Sequence, residues 1–145
     1  MYSVQQILEK KGQTPATVDV DNTVLDAAKM MNERHIGALV VTRHGKPTGI
    51  LTERDIMNRV VAEDRPPGRT AVKDVMSAPI ACCRRDTTAG ECRAFMKQKK
   101  IRHLPVIEEE HLYGMVAVMD VIEGESDEKD ETIHYLHEYL YGTYR

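Results

Sequence analysis

Two side chains suited to binding a sugar and its phosphate lie three residues apart in the first half of the chain. Thr52 and Asp55 follow the short apolar segment 49–51 and stand where a helix is predicted to begin. A carboxylate in the first turn of a helix can accept hydrogen bonds from both hydroxyls of a ribose, while the Thr52 hydroxyl and the free backbone amides hold a phosphate. The same Thr-x-x-Asp spacing is also a capping box, which merely starts a helix. The pair alone does not decide between these interpretations.

A second copy of this segment begins at Gly114, and it keeps the carboxylate but not the hydroxyl. Asp120 corresponds to Asp55, whereas Ala117 stands where the first copy has Thr52. Ala117 cannot cap a helix through its side chain, so Asp120 cannot form a capping box with it. The presence of an Asp at this position is therefore expected to have another cause. This difference between the copies slightly favours a binding role for the carboxylates.

The similarity between the copies extends over most of the chain at a constant offset of 65 residues. Aligning residues 14–58 with residues 79–123 gives nine identities in forty-five pairs without a gap, where background composition predicts about three. Each half contains about 60 residues, a length at which a domain is only marginally stable alone. The sequence therefore predicts two copies of one unit that share a core.

Composition argues against several classes of protein. The net charge of −3 comes from interspersed acids and bases, so no nucleic-acid partner is expected. No apolar run approaches the roughly 18 residues of a membrane span, and residues 1–13 lack the apolar block of a signal peptide. We therefore expect a cytoplasmic protein with no membrane partner. The cysteines lack the spacing of a disulfide framework or metal site and are expected to be reduced thiols; they are Cys82, Cys83 and Cys92.

Each half is predicted to have the order β-α-β-β-α. The apolar pattern and the turn residues place these elements at 16–20, 23–34, 36–42, 49–51 and 53–61 in the first half, and at 80–83, 89–99, 101–107, 112–116 and from 120 onward in the second. Thr23 and Thr88, each followed three residues later by an acid, are the expected N-caps of equivalent helices. Short helices are also expected at 3–11 and 72–76. In the helix at 53–61, the side chains expected to face the core are Ile56, Val60 and Val61.

The Pro- and Gly-containing segment 64–68 is the strongest break in the sequence and marks the joint between the halves. We expect a first repeat with its N-terminal helix at 1–65, a second repeat at 66–123, and an acidic linker with a C-terminal helix at 124–145. The apolar stripe of that last helix needs a cover, either the edge of the module or a second chain, and we favour self-association. The stripe consists of Ile133, Leu136, Tyr139 and Leu140.

Over residues 14–123 the chain resembles a tandem pair of CBS domains, a Bateman module. The family's closing motif of Gly, two apolar residues, Ser or Thr, any two residues and Asp is present in full at 49–55, and the copy at 114–120 lacks only the hydroxyl. Residues 36–41 and 102–106 also resemble the family's central strand. The chain is little more than the module, so it is similar to stand-alone bacterial CBS proteins. The implied fold is α/β: two β-α-β-β-α repeats related by a pseudo-twofold axis, with sheets back to back and helices outside.

The resemblance implies two clefts between the repeats that bind adenosyl ligands: AMP, ADP or ATP, and in some members a dinucleotide such as NAD, or S-adenosylmethionine. By position, the first cleft would take the ribose on Asp55, with Thr52 and Arg54 toward the phosphate. Its other residues would be Ile50 from the same motif, and Ala81 and Ile101 against the adenine.

For the second cleft, the resemblance places the ribose on Asp120 and the phosphate near His103. The base would lie against Ala16 and Ile36. Ala117 departs from the family pattern and removes one hydroxyl, and the loss of one neutral hydrogen bond weakens a site by about 0.5–1.5 kcal/mol.

The function favoured is a binding module that senses adenosine nucleotides and couples occupancy to the angle between repeats or subunits. The resemblance further implies a homodimer formed through the outer helices, acting on a regulated protein that the sequence does not name. An enzyme is not expected, because no nucleophile–base or paired-carboxylate constellation emerges, and we assign no catalytic residue, catalytic cofactor or metal ligand. The alternatives are a structural dimerisation module with degenerate clefts and, less favoured, a nucleotide-processing enzyme.

Overall fold

Two similar units form the computed structural model, which describes residues 2–12 and 14–126. Its helices and strands, in chain order, are α1 (Val4–Lys11), β1 (Thr17–Asp19), α2 (Val24–Arg34), β2 (Ala38–Arg43), β3 (Lys46–Thr52), α3 (Glu53–Ile56), α4 (Ala89–Lys99), β4 (His103–Glu108), β5 (His111–Ala117) and α5 (Val118–Ser126). Helix α3 continues into a π-helical turn at Met57–Val61, and 3-10 turns follow at Pro67–Arg69 and Val72–Asp74. The predicted α/β class with two repeats is confirmed.

The two units correspond residue for residue at the predicted offset. Helix α2 matches α4, strand β2 matches β4, and β3 matches β5 at both ends. Each hairpin has a register shift at the same place, after Val41 in the first and after Val106 in the second. The residue that ends each preceding helix, His35 or Lys100, adopts the left-handed conformation, with φ of 54° or 56°. Two segments with few identities therefore follow the same backbone path.

Threonine side chains begin equivalent helices, as the sequence predicts. Thr23 Oγ1 accepts a hydrogen bond from Asp26 N at 3.1 Å, and Thr88 Oγ1 accepts one from Glu91 N at 3.1 Å. An N-cap of this kind contributes about 1 kcal/mol to stability. Both caps fix the helix that leads into the buried central strand of its unit.

The core of each unit is completed by a segment that precedes the other unit. Val4 and Ile7 of α1 lie among the buried side chains of the second unit. Val72 and Val75, from the link between the units, lie among those of the first. A division of the chain at residue 65 therefore does not separate the two cores, even though the sequence pattern groups α1 with the first repeat.

The strand predicted at 80–83 does not form. In the part of the chain that the structure describes, the first sheet has the order β1-β2-β3, whereas the second contains β4 and β5. Cys83 makes an isolated bridge to β4, in which its N donates to Pro105 O at 2.9 Å. At the equivalent place in β2, Val40 N donates to Ala16 O, but Pro105 has no N–H with which to extend the ladder. The prediction was wrong because it ignored the proline in the neighbouring strand.

Three further expectations change in detail. Val61 is 70% exposed although Val60 beside it is buried, because neighbouring residues of a helix point in directions roughly 100° apart. The helix expected at 72–76 is a single 3-10 turn, Val72–Asp74. Helix α5 continues to Ser126, so the first residues of the expected linker are helical. The rest of that linker and the C-terminal helix lie outside the described residues.

The three cysteines are free thiols. Cys82 is exposed, whereas Cys83 and Cys92 are buried in the core of the second unit. A hydrogen bond between the two buried thiols, together with burial, raises the pKa of Cys83 above its ordinary value. These two cysteines therefore serve as small core residues.

The equivalent glycines of β3 and β5 provide a test of how closely each strand packs. A methyl group at Gly49 would lie 2.7 Å from Met76 Sδ and 2.9 Å from the Ser77 carbonyl oxygen, whereas at Gly114 it would meet the end of the Leu8 side chain. Because a backbone carbonyl cannot rotate away as a leucine side chain can, Gly49→Ala should lower the free energy of unfolding by about 1–3 kcal/mol, and Gly114→Ala by less. Urea denaturation measures both, and equal losses would contradict this account.

The ion pair between Glu108 and Arg85 predicts a dependence of stability on acid pH. Glu108 Oε2 accepts hydrogen bonds from Arg85 Nε at 2.8 Å and Arg85 N at 2.9 Å, which lower the pKa of the Glu108 carboxyl from 4.5 to about 2. Because the pKa is lower in the folded protein than in the unfolded chain, the stabilisation is complete above about pH 5 and is lost as the pH falls toward 2.

Glu108→Gln isolates this contribution from the other carboxylates. The difference in unfolding free energy between wild type and Glu108→Gln, measured by urea denaturation, should be largest near neutral pH and should shrink on acidification. A difference that stays constant between pH 6 and pH 3 would show that the ion pair does not contribute as described.

Candidate functional site

Two cavities lie between the units, and we call them the first cleft and the second cleft. The first cleft has a volume of about 720 Å³ and is walled by residues of both units. The residues predicted for this site all lie on its wall: Ile50, Thr52, Arg54, Asp55, Ala81 and Ile101. The structure thus brings these side chains together, while their part in binding stays a prediction.

Asp55 is a buried carboxylate held in place by its neighbours. Its residue is 8% exposed, and its Oδ2 accepts a hydrogen bond from Thr52 N at 3.0 Å. In return, Thr52 Oγ1 accepts one from Asp55 N at 3.2 Å, which completes the capping box. Asp55 therefore has a structural role in the capping box. This role leaves acceptor positions for other partners, because the two carboxylate oxygens offer about four.

Ser77 and Arg59 also position Asp55, and the sequence interpretation missed both. Ser77 pairs through its backbone with Ile50 at 3.0 and 2.9 Å, and its hydroxyl donates to Asp55 Oδ1 at 3.0 Å. Arg59 Nη1 donates to the two carbonyls of segment 75–76 at 2.9 Å and lies 3.6 Å from Asp55 Oδ1. The i, i+4 spacing of Asp55 and Arg59 was a usable signal for this ion pair. Ser77 lies outside the aligned repeat and gave no such signal.

Positive charge dominates the rim of the first cleft. Five cationic side chains line it, against the carboxylates of Glu53 and Asp55. The cations are Arg54, Arg59, Lys99, Lys100 and Arg102. A cleft that presents mainly one sign of charge concentrates ligands of the opposite sign. The first cleft is therefore suited to an anionic ligand.

Two of the backbone amides at the start of α3 already have protein acceptors. Glu53 N donates to Gly37 O at 3.1 Å, and Asp55 N donates to Thr52 Oγ1 at 3.2 Å. The expectation that free amides hold a phosphate is therefore wrong for these two groups. The cations of the rim are the groups that can balance the charge of a phosphate here.

His103 lies between the two clefts and lines both. Burial lowers the pKa of its imidazole below 6.5, and the nearby Glu53 carboxylate offsets this only in part. The ring is therefore mostly neutral at pH 7, where it offers one hydrogen-bond donor and one acceptor rather than a positive charge. The phosphate predicted near His103 would meet a dipolar partner, not an ionic one.

The second cleft has a volume of about 500 Å³, and three of the residues predicted for it line its wall: Ala16, Ile36 and His103. Asp120 does not lie on this wall, which has Lys11 in its place. Asp120 Oδ2 accepts hydrogen bonds from Lys11 Nζ at 2.9 Å and from Ala117 N at 2.8 Å. The structure therefore does not expose the predicted ribose carboxylate to this cavity. The bond to Ala117 N also gives Asp120 a local structural role without any hydroxyl partner.

Metal binding and membrane insertion have no visible basis in the described residues. Within residues 2–12 and 14–126, no group of three or more His, Cys, Asp or Glu side chains is arranged to hold a metal ion. Among the helices of the same ranges, none is long and apolar enough to cross a membrane.

Comparison with known proteins agrees with this architecture. A family model for the CBS domain matches residues 7–62 and again residues 72–127. The CBS domain-containing protein YhcV of Bacillus subtilis (strain 168) is 35% identical over 106 residues, which cover 73% of this chain and 75% of YhcV.

Solved structures of CBS-domain proteins superpose on the chain. One from Burkholderia ambifaria MC40-6, assigned to signal transduction, is 35% identical with a TM-score of 0.79, and the match covers 83% of this chain and 91% of that one. The hexameric CBS-CP12 protein of bloom-forming cyanobacteria is 31% identical with a TM-score of 0.75. That match covers 83% of this chain and 66% of the CBS-CP12 chain. The repeat, the fold and these matches agree: the chain belongs to the CBS-domain family and contains a tandem pair of CBS domains.

Proposed function

We propose that this CBS pair is a regulatory module that binds an adenosine nucleotide in its first cleft. The placement of Asp55 carries the proposal. This carboxylate is buried, oriented by Thr52 and Ser77, and forms part of the wall of a cavity of about 720 Å³. A fixed acceptor of this kind is suited to the paired hydroxyls of a ribose.

Three features of the first cleft match three parts of a nucleotide. Ile50, Ala81 and Ile101 offer apolar surface for a flat base, Asp55 offers acceptors for the ribose, and the cationic rim balances phosphate. The volume falls within the range of about 300–1,000 Å³ typical of small-molecule sites. AMP, ADP and ATP suit this charge pattern, and NAD is a further anionic candidate. The sulfonium cation of S-adenosylmethionine suits a positive rim less well.

Occupancy of the first cleft would change the arrangement of the two units. Asp55 belongs to the first unit, whereas Ala81 and Ile101 come from the second. A ligand that contacts both sides binds most tightly to the arrangement that brings the two sides together, and so shifts the population toward it. This difference in affinity is the basis on which the module would signal to a regulated protein.

A homodimer formed through the outer helices is the second part of the proposal. Met57, Val61 and Ile122 are 58%, 70% and 45% exposed. Met57 and Ile122 occupy equivalent positions in the last helices of the two units, so the apolar surface follows the internal symmetry. Exposed apolar surface of this kind is typical of association sites, and the hexameric state of the cyanobacterial CBS-CP12 protein supports the proposal.

Two other functions make different predictions. If the clefts are degenerate and the module only dimerises, Asp55 acts solely in the capping box and no nucleotide stabilises the protein. If the chain processes nucleotides, purified protein converts one of them and loses that activity on Asp55→Asn. The regulated partner and the cytoplasmic location stay predictions.

Nucleotide binding should be visible as stabilisation. AMP, ADP or ATP at a hundred times its Kd should raise the free energy of unfolding by about 2.7 kcal/mol, measured by thermal or urea denaturation. Asp55→Asn replaces the charged acceptor and should weaken binding about 10- to 100-fold, measured by titration calorimetry.

Asp120→Asn is the matched control, because it removes the corresponding carboxylate of the second repeat and should leave affinity for the first cleft unchanged. Urea denaturation without ligand shows whether either variant has lost stability through its cap. Unchanged affinity in Asp55→Asn would refute the proposed site, and the absence of stabilisation by every nucleotide would favour the dimerisation module.

The dimer interface is tested by placing a charge on it. Met57→Asp should convert the dimer to a monomer, because an interface does not bury an unpaired carboxylate readily. Light scattering coupled to size exclusion gives the mass. Asn22→Asp adds the same charge at an exposed turn before α2 and should leave the dimer intact. If the Met57→Asp variant is still a dimer, the proposed interface is wrong and the dimer forms through another surface.

A further inference from the structure

The two clefts differ in what fills one equivalent position. The segment 72–77 in front of the second unit corresponds, at the offset of 65, to residues 7–12 in front of the first. Ser77 stands at the end of the later segment, and its counterpart is Gly12, which has no side chain. Lys11, the last residue of α1, lies beside that glycine and reaches into the second cleft.

The ammonium group of Lys11 makes contacts equivalent to two of those that Ser77 makes in the first cleft. Ser77 N donates to Ile50 O at 2.9 Å, and its hydroxyl donates to Asp55. Lys11 Nζ donates to Met115 O at 3.1 Å, and Met115 is the counterpart of Ile50. The same ammonium donates to Asp120 at 2.9 Å. A neutral hydroxyl is thus replaced by a cation.

The replacement changes both the charge of the contact and the side chain that lines the cavity. Both bonds are charge-assisted because each acceptor is a carboxylate, but only the ammonium adds a Coulombic attraction between opposite charges. The side chains of Lys11 and Asp120 are 26% and 21% exposed, so solvent screens this pair less than it would screen a pair on the open surface. Lys11 lines the cavity and Asp120 does not, whereas Asp55 does line the first cleft.

On the basis of the proposed nucleotide-binding function, we propose that Lys11 is an internal competitor that determines which cleft is used. Its ammonium binds Asp120 and lines the second cleft where that carboxylate does not, so a ribose that used Asp120 would have to displace Lys11. The chain therefore binds one nucleotide, in the first cleft. Because Leu8 of the same helix packs against Gly114 in β5, displacement of Lys11 would also disturb the packing of α1 against the second unit.

Lys11→Met tests this proposal, since Met is the residue at the equivalent position 76 in front of the second unit. Calorimetric titration with AMP, and separately with ATP, should give one site per chain in wild type, assigned to the first cleft by its loss in Asp55→Asn. Lys11→Met should reveal a second site, bound at least about tenfold more tightly than any second event in wild type. In the double variant Lys11→Met with Asp55→Asn, that second site should be the one that remains.

Lys29→Met is the matched control, because Lys29 is an exposed lysine on α2 and its loss changes the net charge equally. It should leave one site per chain. Two tight sites in wild type, or a second site that Lys11→Met weakens, would overturn the competitor role and make Lys11 a ligand contact. A first site that survives Asp55→Asn, or no binding in any variant, would instead show that the proposed function itself fails.

Discussion

The exchange of short apolar segments between the units is the constraint on which the rest of the structure depends. Val4 and Ile7 complete the core of the second unit, and Val72 and Val75 complete that of the first. A unit of about 60 residues buries too little surface to be comfortably stable alone. Because each core includes residues from the segment that precedes the other unit, the two units are held side by side, and the clefts lie between them.

The same two segments also determine the chemistry of the clefts. The link between the units ends at Ser77, which binds Asp55, and helix α1 ends at Lys11, which binds Asp120. Apolar residues in each segment fix its position, and one polar residue at its end meets the carboxylate. A cation in one place and a hydroxyl in the other are enough to make two nearly identical backbones into unlike sites. The same two short segments therefore contribute to the cores and bind the carboxylates beside the clefts.

Much of the fold and of the first cleft could be predicted because local patterns specify them. The offset of 65 and the caps at Thr23 and Thr88 follow from the repeat itself, whereas the placement of Asp55 and Ala81 at one cleft follows from the resemblance to the CBS family. The absence of a strand at 80–83 depends on Pro105, a residue far along the chain, so a reading of that segment alone could not find it.

The polar residues supplied by the exchanged segments escaped prediction for a related reason. Lys11 and Ser77 lie outside the aligned halves, and their positions become meaningful only once the cores are assembled. The sequence interpretation assigns Asp120 to ribose binding and does not anticipate that a backbone amide and Lys11 bind this carboxylate. Sequence comparison between the halves thus finds what they have in common more readily than what distinguishes them.

The position of His103 has a consequence for communication across the molecule. Its imidazole forms part of the wall of both cavities, as do Gly37 and Ala117, so the two cavities have part of their walls in common. A ring that turns or gains a proton changes the hydrogen-bonding surface on both sides at once. A change at one cavity therefore needs no long pathway to reach the other, because the two share wall residues.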